Sequence, residues 1–278
     1  MIGWRSRRWE VLWLVSAMAL IAFVVFPLIF MVSTSFKPPE EQLLAPPTIL
    51  PVNPTLDNYQ SALGQETFFR YLANSIMVTV ATTILSISIG AFATFGFTRL
   101  RFSGRRTLLV LVVLGQLVPL AAIAVPLYQM ANGLGLIDYL PALVLAYLAM
   151  SLPVTVWMLR SYMRNIPREL EEAAIVDGCT ELGAFWRIVL PLSAPGIAAT
   201  ASYVFFLVWQ EFLFVLIFTT RPENRTLPVG ILDFVGQFET NWGNLMAASM
   251  LMAIPAMLAF VIIQRRLIAG LTEGSVKS

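Results

Sequence analysis

The chain has 278 residues, of which 58% are hydrophobic and only 12% charged, and its mean hydropathy is +0.77. A soluble domain carries about 45–50% apolar and about 25% charged residues, so this composition excludes an ordinary soluble fold and indicates a polytopic membrane protein. A net charge of +2 is too small for a nucleic-acid binder, and the absence of histidine beside a lone Cys179 excludes an internal disulfide and a thiolate metal cluster.

A membrane span needs about 20 mostly apolar residues. Six stretches qualify: 11–32, 71–98, 107–131, 140–159, 196–219 and 245–263. Backbone polar groups in hydrocarbon must be satisfied internally and no barrel-like alternation is present, so each stretch is expected to be a helix. The expected fold class is all-α, a polytopic membrane protein of six transmembrane helices. The first stretch follows Arg5, Arg7 and Arg8 and could be mistaken for a secretory signal. Its apolar run exceeds the about 7–15 residues of a signal core, and Ser33-Thr34-Ser35-Phe36-Lys37 offers no small-residue cleavage site, so an uncleaved span is expected.

Between the first two spans, residues 37–70 hold Pro38, Pro39, Pro46, Pro47, Pro51 and Pro54, which predicts extended chain rather than a folded domain. In the second span Ser86, Gly90 and Thr94 recur at four-residue spacing on one face, which permits close approach of another helix backbone. Pro119, Pro126, Pro153 and Pro255 interrupt later spans, either as tolerated kinks or as bends that open a cavity and let helices rock. The connection 132–139 is short and Gly-rich (Gly133, Gly135), whereas 220–244 is longer and carries Arg221, Glu223, Arg225, Glu239 and Trp242.

The charges orient the chain. An even number of spans places both ends on one side, with Arg5, Arg7, Arg8, Arg99, Arg101, Arg105, Arg106, Arg160, Arg164, Arg168, Arg187, Arg265, Arg266 and Lys277. The other side keeps Lys37, Arg70, Arg221 and Arg225. Fourteen basic residues against four predict cytoplasmic termini by the positive-inside rule. The stretch 160–195, between the fourth and fifth spans, is then cytoplasmic too. It runs Glu171-Glu172-Ala173-Ala174-Ile175-Val176-Asp177-Gly178 and on to Arg187-Ile188-Val189-Leu190-Pro191. Physically this reads as a short helix, a glycine breaker, and a second short amphipathic piece (Leu182, Phe185, Trp186, Ile188) that stops at Pro191. Such a segment belongs on water or on another protein.

The spacing is specific. Glu172-Ala173-Ala174, three residues, Gly178, nine residues, Ile188, one residue and Leu190-Pro191 resembles the cytoplasmic signature loop of permease subunits of bacterial ATP-binding-cassette (ABC) importers. Thr55-Leu56-Asp57-Asn58-Tyr59 and Asn74-Ser75 resemble the approach to the second span in sugar-type permeases. Glu211-Phe212-Leu213, the run Glu223 to Gly230 and the tail Gln264-Arg265-Arg266 with Gly270 to Lys277 resemble carbohydrate-importer permeases, the tail with Ser275 where alanine is commoner. The likeness runs from about Asn58 to Lys277 and is nearest to the shorter permease of the maltose type.

That resemblance implies the type I ABC importer permease fold: one permease domain over 1–278 in a bacterial inner membrane, with an extra first span 11–32, a core 71–263, a coupling loop 160–195 and a tail 264–278. It implies a second, non-identical permease, two cytoplasmic ATP-binding subunits and an extracytoplasmic solute-binding protein as partners. In the family a coupling helix rests in a cleft of the ATP-binding subunit. By position, Glu172 would pair with a basic or amide group there, Ala173 and Ala174 would allow close packing, and Gly178 would let the chain turn. Ile188, Leu190 and Pro191 would anchor the end of the loop, and Asp177 is either a cap or polar contact or a solvated side chain. Gly274 and Lys277 would reach the ATPase interface.

No phosphate loop exists in the chain: Lys37 precedes Pro38 and Lys277 follows Val276, and neither follows the required glycine. Neither an enzymatic activity nor a cofactor is therefore expected of it, and ATP and Mg belong to partner subunits. Converting outward and inward states from 1:99 to 99:1 needs about 5.5 kcal/mol, more than a few surface ion pairs at ~0–1 kcal/mol each supply. The loop is expected to transmit a displacement made elsewhere. Within the membrane, Glu211 in Trp209-Gln210-Glu211-Phe212 costs about 2.5–3.5 kcal/mol at a helix centre. It is either a gate or helix–helix hydrogen bond, or a solute contact, with Asn74, Gln116 and Gln210 as further candidates for the path or gate. The solute class implied is a sugar; amino-acid, polyamine or glycerol phosphate permeases are the alternatives. An ion-coupled transporter would need paired ionisable residues in two inverted halves, and Glu211 has no such partner in the sequence.

Overall fold

A computed structural model describes the backbone of residues 3–236 and 240–275 and the side chains of residues 9–236 and 240–263. In chain order the helices are α1 (Gly3–Ser35), α2 (Pro39–Gln42), α3 (Asp57–Gly64), α4 (Phe68–Arg99), α5 (Arg105–Leu114), α6 (Leu120–Gly133) and α7 (Leu140–Met163). They continue as α8 (Glu169–Val176), α9 (Glu181–Ala184), α10 (Leu190–Leu192), α11 (Ala194–Trp209), α12 (Leu213–Phe218), α13 (Leu227–Gly230) and α14 (Trp242–Ser275). Among the described residues the only strand-like pairing is one antiparallel bridge, Val235 with Thr240. The all-α expectation holds.

Among the described residues four helices are long and apolar enough to cross a membrane: Trp9–Ser35 within α1, α4, α7 and Trp242–Ile263 within α14. The expected spans 107–131 and 196–219 are not single helices. The first is split into Arg105–Leu117 and Leu120–Gly133, which meet at 101°. Val118 precedes Pro119, whose ring drives it out of the helical region to φ −76° and ψ 122°, and Pro119 cannot donate to the preceding turn. Pro126, Pro153 and Pro255 instead lie inside continuous helices. The other expected span ends at Trp209 and resumes as α12 after Gln210-Glu211-Phe212, and a bend of 74° at Ser193 separates Glu181–Leu192 from α11. Counting each bent pair as one span gives six.

The chain divides into two compact units, Met1–Phe68 with Ile231–Ala253 and Phe69–Gly230 with Ile254–Ser278. In the first, the proline-rich segment is ordered rather than extended. Lys37 is 2% exposed, donates to the carbonyl of Thr48 and stands 5.0 Å from the centroid of the Phe30 ring. Glu41 accepts from the backbone N–H groups of Val52 and Asn53, both at 2.8 Å. These bonds, led by that from Val52, hold its carboxyl below its ordinary value of 4.5. Asn58 donates to the carbonyls of Ser35 and Lys37 at 3.0 and 2.8 Å, and Ala62, Phe234 and Ala248 form a small apolar centre. Side-chain bonds to backbone, which proline content does not reveal, give the segment its order.

The second unit holds the larger core. Ala142, Leu143, Ala146 and Tyr147 of α7 pack with Val204 and Val208 of α11, and with Phe214, Val215 and Phe218 of α12. Lipid tails are as apolar as these side chains, so close packing and interhelical hydrogen bonds must hold the helices together. The α4–α7 seam shows how. Ser86 and Thr155 hydroxyls lie 2.8 Å apart, and a Cβ at Gly90 would collide with the Thr155 methyl. The small-residue stripe of the second span thus meets its partner helix where the spacing placed it.

Candidate functional site

The polar stretch after α7 folds as two short helices around a tight turn. Asp177 ends α8, the N–H of Gly178 bonds the carbonyl of Ile175 at 3.0 Å, and that of Cys179 bonds Ala174 at 2.9 Å. This double closure requires a left-handed residue, and Gly178 supplies it at φ 91°. Thr180 caps α9 by accepting from the N–H of Gly183 at 3.1 Å. A wider turn with π-type bonding, Phe185–Val189, then leads into α10.

One side of this loop is fixed to the bundle. Phe185 and Val189 are buried with Ala91, Phe95, Leu159 and Met163, and the Phe185 ring lies 4.9 Å from Phe95 and 5.1 Å from Phe92. Glu171 pairs with Arg99 at 2.6 Å, the two side chains being 10% and 9% exposed. Arg99 also donates to the carbonyls of Met163 and Ile166 at 3.1 and 3.2 Å, and Arg168 to that of Thr98 at 2.9 Å. The last turn of α4 is thereby clamped to the end of α7 and the start of α8.

The other side is left open. Glu172, Ala173, Asp177 and Gly178 are exposed, Ala174 is half-buried, and Val176 is 85% exposed, with Ile175 and Leu182 also uncovered. Ile188 and Leu190 are half-buried and Pro191 is exposed. Sequence reasoning found the outward residues but missed Glu171, Arg99, Arg168, Phe185 and Val189 as the inward anchors. The signal for them was weak: Arg99 closes an apolar run, and Phe185 and Val189 are four apart.

The intramembrane candidates separate. Glu211 is buried, accepts from the Tyr147 hydroxyl at 2.7 Å, and receives the N–H of Leu213 at 2.8 Å and that of Phe214 at 3.1 Å. The bond to Tyr147 joins α7 to the segment before α12, and the two N–H bonds satisfy the first turn of α12. Asn74 is buried and donates to the carbonyls of Glu223 and Arg225, both at 2.9 Å, while neighbouring Ser75 accepts from Leu227 at 2.8 Å. Asn74 thus fastens the 222–230 segment to α4. Gln116 and Gln210 are exposed at the two helix breaks. Asp138 was also missed: at φ 61° it accepts from the N–H groups of Thr220 and Arg221 at 2.7 and 2.8 Å and joins two connecting segments. Partial burial opposes ionisation of Asp138, but these bonds outweigh it and hold the carboxyl below 3.8. Gly274 falls in the part of α14 described by its backbone alone, and Lys277 lies outside the described residues.

Residues 86–273 match the profile of the binding-protein-dependent transport system inner membrane component. The chain belongs to this family. It is 38% identical over 263 residues to the diacetylchitobiose uptake system permease protein of Streptomyces coelicolor, covering 95% of each chain. It is also 38% identical to the sulfoquinovosyl glycerol transport system permease protein of Agrobacterium fabrum, covering 95% of this chain and 92% of that one. Among solved structures it resembles a bacterial ABC transporter involved in the import of the acidic polysaccharide alginate, with a TM-score of 0.83 at 19% identity over 95% of this chain and 98% of the other. The protein is thus an inner membrane component of a binding-protein-dependent transport system, with the fold of an ABC importer permease. Among the described residues of this permease no group of histidine, cysteine, aspartate and glutamate is placed to hold a metal ion.

Proposed function

We propose that this permease forms part of the translocation pathway for a sugar or sugar-like solute, working as one domain beside a second, non-identical permease. A solute-binding protein delivers the solute from outside, and two cytoplasmic ATP-binding subunits bind and hydrolyse ATP with Mg. Both termini lie in the cytoplasm. Support for the solute class comes from the carbohydrate systems to which the named relatives belong. The observation that carries the coupling role is the two-sidedness of the loop. Its inward face is fixed to α4 and α7 by a buried ion pair and an aromatic cluster, while Glu172, Ala173 and Asp177 face away from the bundle.

A segment held this firmly moves only with its helices. A push on its outer face therefore reaches α4 and α7 as a rigid-body displacement. In this reading Glu172 bonds the ATP-binding subunit, Ala173 and Ala174 permit its approach, and Gly178 sets the angle between α8 and α9. Ile188, Leu190 and Pro191 hold the return into α11. Gly274 and Lys277 add a tail contact to the same subunits. Gln116 and Gln210, at breaks in the bundle, are the path candidates that carry free amide groups, and Asn74 and Glu211 shape that path indirectly by fixing the helices around it.

The test is solute uptake by cells carrying Glu172→Lys or Gly178→Pro, with membrane content of the permease measured alongside. Uptake is expected to vanish while the permease remains inserted. Normal uptake by both variants would remove the coupling role from this loop.

A further inference from the structure

We propose that the permease holds the phosphate headgroup of an anionic phospholipid in an arginine-lined cavity at the ends of α4 and α7. The cavity has a volume of about 550 Å³, and Arg99, Arg105, Arg160, Arg164 and Arg168 line it, with Glu169 as the one acidic residue on its wall. Three of these arginines are already engaged. Arg99 pairs with Glu171, Arg168 donates to Thr98, and Arg105 donates to the carbonyl of Leu100 at 3.2 Å.

Arg160 and Arg164 are different. Arg160 stands in the last turn of α7 and Arg164, four residues on, is its C-cap, and neither side chain makes a hydrogen bond or ion pair among the described residues. The Nε of Arg160 is enclosed and has no acceptor. Like charges at this spacing repel, and an enclosed guanidinium donor without an acceptor is costly. A phosphate diester relieves both, because its oxygens match the planar fork of two guanidinium groups at once.

Location selects a lipid over a soluble phosphate. Arg99 is the last residue of α4 and Arg160 lies in the last turn of α7, so the cavity sits where both spans leave the hydrocarbon. Trp157 on α7 and Phe102 and Leu108 near the start of α5 are exposed close by in sequence, the kind of aromatic and apolar surface that accompanies the headgroup level. Basic pockets between helix ends are suited to anionic headgroups for this reason.

Native mass spectrometry of the transporter, purified with its own partner subunits and incubated with phosphatidylglycerol or phosphatidylcholine, tests the proposal. The wild type is expected to retain phosphatidylglycerol with roughly tenfold preference, a preference that falls as ionic strength rises. The double variant Arg160→Gln/Arg164→Gln is expected to lose that preference, and Arg101→Gln, outside the cavity, to keep it. Equal retention of the two lipids by the wild type, or unchanged preference in the double variant, would overturn the site. Displacement by millimolar inorganic phosphate would reassign it to a soluble anion. Binding by the permease alone but not by the assembled transporter would mean that protein carboxylates fill it, and would also overturn the lipid. If the double variant does not assemble, the wild-type preference and its salt dependence decide.

Discussion

Two short helices of this permease carry glutamate at or just before their first turn, α12 and α8, and they use it in different ways. At Gln210-Glu211-Phe212 the carboxylate turns inward and is occupied by the Tyr147 hydroxyl and the N–H groups of Leu213 and Phe214. In α8 there are two adjacent acids: Glu171 turns inward onto Arg99, and Glu172 is exposed with no side-chain bond among the described residues. The break at Glu211 is thus chemically closed, whereas the loop is closed on one face and open on the other. An acid whose oxygens are all engaged acts on the fold alone. An acid left open on a rigid support is available to something outside the chain.

Glu171→Ala should break this contrast most severely. Removing one partner of a buried pair leaves Arg99 charged and enclosed, which costs about 3–5 kcal/mol. Thermal unfolding of the purified permease should therefore occur at a clearly lower temperature, and transport should be lost with it. Glu172→Ala should change stability by less than about 0.5 kcal/mol while reducing uptake strongly. Equal thermal stability of the two variants would show that the two-faced description of α8 is wrong.

Glu211→Gln keeps the shape but replaces one acceptor oxygen facing the three donors Tyr147, Leu213 and Phe214, a loss of about 1.5–3 kcal/mol if one charge-assisted bond is forfeited. The variant should melt earlier yet still transport, since the observed bonds of this carboxylate all go to Tyr147 and to the first N–H groups of α12. Loss of uptake at unchanged melting temperature would return Glu211 to the solute path. Gly178→Ala is expected to be milder in stability, about 1–2 kcal/mol for a side chain at positive φ, with uptake impaired because the angle between α8 and α9 changes. Circular dichroism melting beside an uptake assay separates the two effects.

The smallest effect concerns Asp138. Its carboxyl titrates below 3.8 in the fold, so its contribution is present above that value and is lost as pH falls through the lower folded value. Melting temperature should drop between about pH 5 and about pH 3, and Asp138→Asn should flatten that part of the profile. An identical pH profile in the variant would show that the contacts of Asp138 with Thr220 and Arg221 do not contribute.

Much of this was readable from the residues alone. Apolar run length located four of the six expected spans as continuous helices, and the small residues Ser86, Gly90 and Thr94 located a close helix contact that Gly90 and Thr155 make. The spaced loop pattern identified the family. Other features depend on contacts between distant parts of the chain. Adjacent residues on a helix point about 100° apart, so nothing in Glu171-Glu172 says which acid turns inward until the end of α4 is in place. Pro119 announces one break in a span, but the break at Glu211 has neither proline nor glycine and arises because the carboxylate competes for the N–H groups of α12. The order of residues 37–70 rests on Glu41 and Asn58 reaching backbone groups 11 to 23 residues away, a distance over which composition is silent.

The central claim is that α8 presents a cytoplasmic face to separate ATP-binding subunits, and labelling of that face tests it most directly. Ala173→Cys, in a chain carrying Cys179→Ser, would be treated with a membrane-impermeant maleimide in inside-out and right-side-out vesicles. Labelling should occur only in inside-out vesicles and should be suppressed when the ATP-binding subunits are present. Labelling from the outer surface, or equal labelling with and without those subunits, would contradict it.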